Sequence, residues 1–181
     1  MLEGKNVNLR VAERHDIDFL VEYTNDIDND GEYIPIEQTS KEEWIEAFDN
    51  PVNFTEGKMF IIQKKDGTRI GLTNHRLIKP YKWTEIAYGL YLNERGKGYG
   101  TEAVQLVVDY LFLSKDLARI QAIADVRNKA SQRVLEKASF QREGTIRKSV
   151  FNRGELRDYY LYSILREEWK EPKILARTEK K

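Results

Sequence analysis

The chain has no cysteine among its 181 residues. That excludes disulfides, thiolate metal sites and a cysteine nucleophile, so any acyl transfer runs through another nucleophile or directly to an acceptor. Histidine is scarce: His15 and His75 are the only two, and neither stands in a pattern that supplies a catalytic or metal-binding partner. Charge of one sign is missing too, since 30 basic residues face 30 acidic ones. No field of that kind points to nucleic acid or to a membrane surface as partner. No apolar run approaches the ~20 residues of a membrane-spanning helix. Met1 leads into Glu3, Lys5 and Arg10, not into a signal peptide. These absences together predict a cytoplasmic protein.

What is present is enough chain for one domain with a proper core. Residues 6–11 alternate as a strand, with Val7, Leu9 and Val11 on one face. Residues 16–24 carry Ile17, Leu20 and Val21 at helical spacing. An acidic loop is expected over 25–38, then a helix capped by Thr39 or Ser40 that buries Trp44, Ile45 and Phe48. Residues 51–57 read as a loop. Strands over 58–65 and 69–79 meet at the hairpin signal Asp66-Gly67. A strand over 84–92 precedes a helix from Tyr99 to about Ser114, whose buried stripe is Ala103, Leu106, Val107, Tyr110 and Leu111. A strand over 118–126, a helix capped by Asn128, and strands over 140–151 and 156–169 around Asn152-Arg153-Gly154 complete the order. The domain is expected to span 1–170, with 171–181 as a charged tail. The succession of elements gives one α/β domain with a mixed sheet.

The chain is organised around residues 83–103, WTEIAYGLYLNERGKGYGTEA. Gly89 interrupts the strand, which suggests a bulge or a close backbone approach by a ligand. In Arg95-Gly96-Lys97-Gly98-Tyr99-Gly100 three residues lack side chains. Their N–H groups can turn toward an anion at the start of the following helix, with Arg95 and Lys97 adding charge. A tight strand-to-helix connection would use the same glycines. A Walker loop fails, because Gly100 is followed by Thr101-Glu102 and not by Lys-Ser or Lys-Thr. The dinucleotide fingerprint fits Gly98-x-Gly100-x-x-Ala103 literally, with Asp125 as the later acidic residue. It ranks second because five residues separate Leu92 from Gly98 and no further parallel crossover follows Asp125.

Arg95-x-x-Gly98-x-Gly100 resembles the acyl-CoA pyrophosphate loop of the GNAT superfamily of N-acetyltransferases. Asn128-x-x-Ser131 followed by Glu136-Lys137-Ala138-Ser139-Phe140 is similar to a second family segment. Gly154-x-x-x-Asp158 with Tyr162 and Glu168-Trp169 resembles the branch of Rim-type acetylases of ribosomal-protein N-termini. The departure is Ser139, where the family has glycine. The resemblance implies a mixed, mostly antiparallel sheet flanked by helices. It also implies acetyl-CoA as co-substrate, an amine acceptor (a small molecule or a protein N-terminus), and leaves a homodimer open. The main chain of Leu90, Tyr91 and Leu92 would hold the pantetheine. The N–H groups of Arg95, Gly96, Lys97, Gly98, Tyr99, Gly100 and Thr101 would hold the diphosphate. Asn128 would contact the cofactor arm beyond its strand, in addition to capping its helix; Lys129 and Arg133 carry little weight as contacts to the 3′-phosphate.

Acetyl transfer to an alkylamine needs a proton acceptor, because the amine is mostly protonated at neutral pH. Glu85, on the strand that would line the cleft and on the side of Ala87 and Gly89, is the first candidate against a plain surface carboxylate. Glu143 and Asp158 stand in reserve, Asp158 more as a backbone brace. Where many relatives carry a tyrosine acid, this chain has Leu135, which cannot donate. Ser131 matches the serine of Rim-type relatives, against the alternative of a solvated helix serine. Tyr159 and Tyr160 are later candidates. A non-catalytic acyl-CoA sensor would share every cofactor feature. Finally, Asp26, Asp28, Asp30, Gly31 and Glu37 match the calcium pattern D-x-D-x-D-G-x-x-x-x-x-E. The capping signals after Glu37, the stiff Pro35 and the lack of a second motif rank it below an acidic loop facing a cationic acceptor, so no metal is expected.

Overall fold

The computed structural model describes residues 1–50, 57–78 and 83–174. The alternating segments become the strands β1 (Leu2–Glu3), β2 (Val7–Val11), β3 (Gly57–Lys64), β4 (Arg69–Ile78), β5 (Trp83–Leu90), β6 (Arg119–Asp125), β7 (Gln141–Asn152) and β8 (Glu155–Leu165). The helical segments become α1 (Ile17–Thr24), α2 (Ile27–Asp30), α3 (Lys41–Asp49), α4 (Tyr99–Ser114) and α5 (Lys129–Lys137). The strands form one eight-stranded sheet in the order β1-β2-β3-β4-β5-β6-β8-β7. Every neighbouring pair is antiparallel except β5 with β6. A parallel pair cannot be closed by a hairpin, so α4 makes the crossover.

Helix α4 lies against one face of the sheet. Leu106 and Leu111 are fully buried there with Val7, Leu9, Phe60, Ile62 and Ile86, each large apolar side chain contributing about 1.5–3 kcal/mol by leaving water. The buried stripe is wider than the predicted one. Val104, Val108 and Phe112 are buried as well, because the C-terminal segment covers the helix from outside: the rings of Phe112 and Trp169 lie 5.6 Å apart. On the opposite face Phe19, Leu20 and Tyr23 of α1 pack on Ile61 and Leu72. Helix α3 joins this side through Trp44 and Phe48, which are only half-buried. Its start is the capping box of Ser40 and Glu43: Glu43 N–H donates to Ser40 Oγ (3.1 Å) and Ser40 N–H to Glu43 Oε2 (2.7 Å).

Four expectations need correction. Val11 does not join Val7 and Leu9 in the core; it is 39% exposed at the strand end. The expected loop 25–38 contains α2, capped by Asp26, whose carboxylate accepts the N–H of Asn29 at 3.0 Å. Trp169 lies beyond β8. The tail does not begin at 171, because buried Asp109 on α4 accepts the Trp169 indole N–H at 2.8 Å and the main-chain N–H groups of Lys173 and Ile174. A buried carboxylate needs such donors, and these hold the chain down as far as Ile174. The expected loop over 51–57 falls mostly outside the described residues, as does the end of the strand expected over 69–79.

Candidate active site

Among the described residues, β5 and β6 pair only at Thr84 with Ile120 and at Glu85 with Gln121. Beyond that point they diverge, so the edge of β5 from Ile86 to Leu90 faces a wedge-shaped opening in the sheet. The wedge opens toward the ends of the two strands, where the chain enters α4 and α5. Two helix N-termini therefore flank the opening, each favouring negative charge.

The glycine turn sits at this mouth. Gly96 and Gly98 have φ of 77° and 85°, the left-handed region that favours glycine, and nothing lies within 4 Å of where a Cβ would stand on either. Among the described residues, the N–H groups from Gly96 to Thr101 have no acceptor. A run of open N–H groups leading into a helix of 16 residues fits a diphosphate. The flanking cations are placed differently from the expectation. Arg95 donates to Leu90 O (3.0 Å) and to Asn29 O, clamping α2 to the end of β5. Lys97 pairs with Glu94 at 2.9 Å, as does Lys64 at 3.2 Å, and these two hold the Glu94 carboxyl below its ordinary range.

Leu90 stays on the strand edge, whereas Tyr91 and Leu92 are placed differently from the expectation. Tyr91 N–H donates to Ile70 O (2.9 Å) and Leu92 N–H to Asn29 Oδ1 (2.9 Å). Tyr91 O accepts from Glu94 N–H at 2.9 Å. The chain turns away after Leu90, so the donors of Tyr91 and Leu92 are committed and the unpaired strand edge lies before them. Gly89 marks no bulge, since β4 and β5 pair in unbroken register; the Tyr23 hydroxyl lies where a side chain at this position would stand.

Glu85 and Ser131 flank the wedge from opposite faces of the sheet. Glu85, at the closed end, accepts from Gln121 Nε2 at 3.0 Å and lies 3.5 Å from Arg76 Nη2. Asn128 caps α5, its Oδ1 accepting Ser131 N–H at 3.0 Å. The Ser131 hydroxyl meets the Tyr88 hydroxyl at 2.8 Å. Tyr88 was not singled out from the sequence. The signal for it is strand alternation, which places it on the face opposite Glu85 and toward the helix that carries Ser131.

The reserve groups have other duties. Glu143 accepts from Ser163 Oγ and pairs with Arg119 at 3.0 Å; the Ser163 bond, with Arg119 beside it, holds its carboxyl below the ordinary range. Asp158 accepts Lys148 N–H at 2.8 Å where β7 bulges, a backbone brace. Tyr159 donates to Tyr33 O at 3.2 Å, and the Arg142 guanidinium stacks 4.6 Å from the Tyr160 ring. Leu135 is fully buried. Lys129 donates to Val126 O at 3.2 Å. Asp125 is buried between Arg127 and Arg157, each 3.4 Å away. That removes the acidic group a dinucleotide ribose would need.

The acidic segment crosses the front of the wedge. On one side Asn29 holds Leu92 and Arg95. On the other, Asn152 and Arg157 donate to Glu32 O (3.1 and 2.7 Å) and Arg153 to Gly31 O (2.7 Å). Asp26 and Asp28 line a cleft of about 630 Å³ together with Arg69, Tyr91 and Glu94. Burial, with Asp26 nearby, pushes the Asp30 carboxyl up. Among the described residues, no three acidic or histidine side chains converge as metal ligands.

Comparison with known proteins agrees with this geometry. Residues 6–141 match the family described as "Acetyltransferase (GNAT) domain". A protein of Bacillus licheniformis named "Uncharacterized N-acetyltransferase p20" is 32% identical over 93% of this chain and 97% of its own. A spermidine N-acetyltransferase from Vibrio cholerae, solved with CoA and spermine, shares the fold with a TM-score of 0.80 at 21% identity, over 90% of this chain and 96% of that one. RimJ of Mycobacterium smegmatis, solved with CoA-disulfide, does so at the same score and identity, over 92% and 85%. The chain belongs to the GNAT acetyltransferase family, whose reaction is acetyl-CoA-dependent N-acetylation.

Proposed function

We propose that this protein acetylates a primary amine presented at the β5–β6 wedge, with Glu85 as the base and Ser131 as the donor to the departing sulfur. The observation that carries the reading is the wedge itself, which places an unpaired strand edge beside a run of open N–H groups. Acetyl-CoA supplies an acetyl group activated as a thioester. The N–H groups of Gly96 to Thr101 bind its diphosphate, and the Ile86–Leu90 edge takes the pantetheine up to Leu90. Glu85 accepts the amine proton as the N–C bond forms. Ser131 donates a hydrogen bond to the sulfur, which keeps the electron pair of the broken C–S bond.

The acidic segment over 26–37 faces the incoming cationic acceptor. Support comes from Asp26 and Asp28, which line a cleft with the residues that follow β5, and from the polyamine and ribosomal-protein acetylases that share the fold. The absence of cysteine suits a reducing, cytoplasmic setting. A thiol-release assay against a panel of polyamines, amino-acid derivatives and peptides with free N-termini tests the proposal. Acceptor-dependent release that falls ten- to a thousandfold, roughly the range for general acid–base help, in Glu85→Gln supports it. Binding of acetyl-CoA without release for any amine would make the protein a sensor.

A further inference from the structure

Tyr88 bridges the two arms of the wedge. It stands on β5 within the unpaired edge, and its hydroxyl lies 2.8 Å from Ser131 Oγ and 3.1 Å from Ser131 O. Ser131 belongs to α5, which follows β6 on the other arm. Among the described residues the Ser131 hydroxyl has no other partner. An unassisted helix serine samples several rotamers or bonds back to its own helix. This one is fixed twice, by Asn128 at its N–H and by Tyr88 at its oxygen.

We infer that Tyr88 is a positioning residue for the reaction, holding the Ser131 hydroxyl so that its proton points at the sulfur. The inference rests on the proposed role of Ser131. A hydroxyl offers one hydrogen and two lone pairs, which permits two arrangements of this pair. In one, Tyr88 donates to Ser131 O and receives the serine hydrogen. In the other, Tyr88 donates to Ser131 Oγ and leaves the serine hydrogen free. A thiolate only accepts, so its arrival selects the second. Tyr88 keeps its own proton throughout: burial pushes its phenol up, which makes it a donor and not a proton source.

Tyr88→Phe keeps the ring and removes the hydroxyl. Two readouts decide the matter, the kcat and KM for acetyl-CoA, and the thiol pKa of bound CoA followed by ultraviolet thiolate absorbance. Tyr88→Phe should lower kcat about tenfold, the equivalent of one well-placed hydrogen bond, leave KM within about twofold, and raise the bound thiol pKa. Ser131→Ala should do the same, and the double variant should be no worse than Ser131→Ala alone. Ser131→Thr, which keeps the hydroxyl and the wild-type tyrosine, should retain most of kcat even if Tyr88→Phe folds poorly. If Tyr88→Phe leaves kcat and thiol pKa unchanged while Ser131→Ala alters both, Tyr88 only packs and the inference fails alone. If Ser131→Ala alters neither, the reading of Ser131 fails and takes this inference with it. A Ser131→Thr variant as slow as Ser131→Ala also overturns it.

Discussion

A Cβ on Gly89 would stand 2.5 Å from the Tyr23 hydroxyl. The strand glycine therefore makes room for helix α1, and through it for the acidic segment that α1 leads into. Gly89→Ala should cost about 1–3 kcal/mol by overpacking. Tyr23→Phe in the same chain should recover part of the loss, since the next ring atom is 3.7 Å away. Chemical denaturation of both single variants and the double checks the coupling; strict additivity would show the two residues to be independent.

Ser139 has φ of 70° just past the end of α5. Phe140 N–H donates back to Leu135 O at 3.0 Å, the closing turn that usually employs glycine. The departure from the family pattern thus changes the residue and keeps the conformation. Ser139→Gly should stabilise the protein by about 1 kcal/mol, visible as a raised Tm with unchanged activity.

His75 is buried between Phe60 and Tyr110, and among the described residues neither of its ring nitrogens has a partner. Burial, with Lys115 and Lys58 nearby, pushes its pKa from 6.5 to about 4. The unfolded chain then binds this proton more readily than the fold does. Stability should fall as pH drops below 6.5, by roughly 2 kcal/mol between pH 7 and 4.5, and level off below 4. His75→Phe should remove that slope in denaturation curves taken across the range. An unchanged slope would assign the acid sensitivity to other groups.

Arg95 and Lys97 look alike in the sequence and differ in the fold. Arg95 braces two carbonyls, a duty for a planar fork that lysine cannot copy. Arg95→Lys should lower stability by about 1–2 kcal/mol and weaken acetyl-CoA binding only through the loosened turn. Lys97→Ala should leave Tm unchanged and weaken binding by loss of a nearby charge. Melting curves and calorimetric titration of the two variants separate these effects.

The periodic segments were legible because burial imposes period 2 or 3.6 on the chain: β4, β5 and α4 lie within two residues of their expected bounds. The glycine turn was legible because positive φ demands a particular residue type. Partnership across long separations was not. Nothing local announces that Arg95 reaches Asn29, that Asp109 gathers the C-terminal segment, or that Tyr88 meets Ser131. The short strand β1 escaped because Leu2–Glu3 is too short to show a period; it pairs with β2, and Glu102 fastens the connection between them by accepting Asn6 N–H at 2.8 Å. The calcium-like pattern also hides a local role that only the fold reveals. Asp26 caps one turn of helix.

The most direct test is calorimetric titration of the protein and of Gly98→Val with acetyl-CoA and, separately, with NADH. The wild-type chain should bind acetyl-CoA, with a matching rise in Tm by mass action, and should ignore NADH. Gly98→Val should lose the binding while still unfolding cooperatively, because a β-branched residue at φ of 85° closes the open N–H run. Binding of NADH without binding of acetyl-CoA would contradict the account.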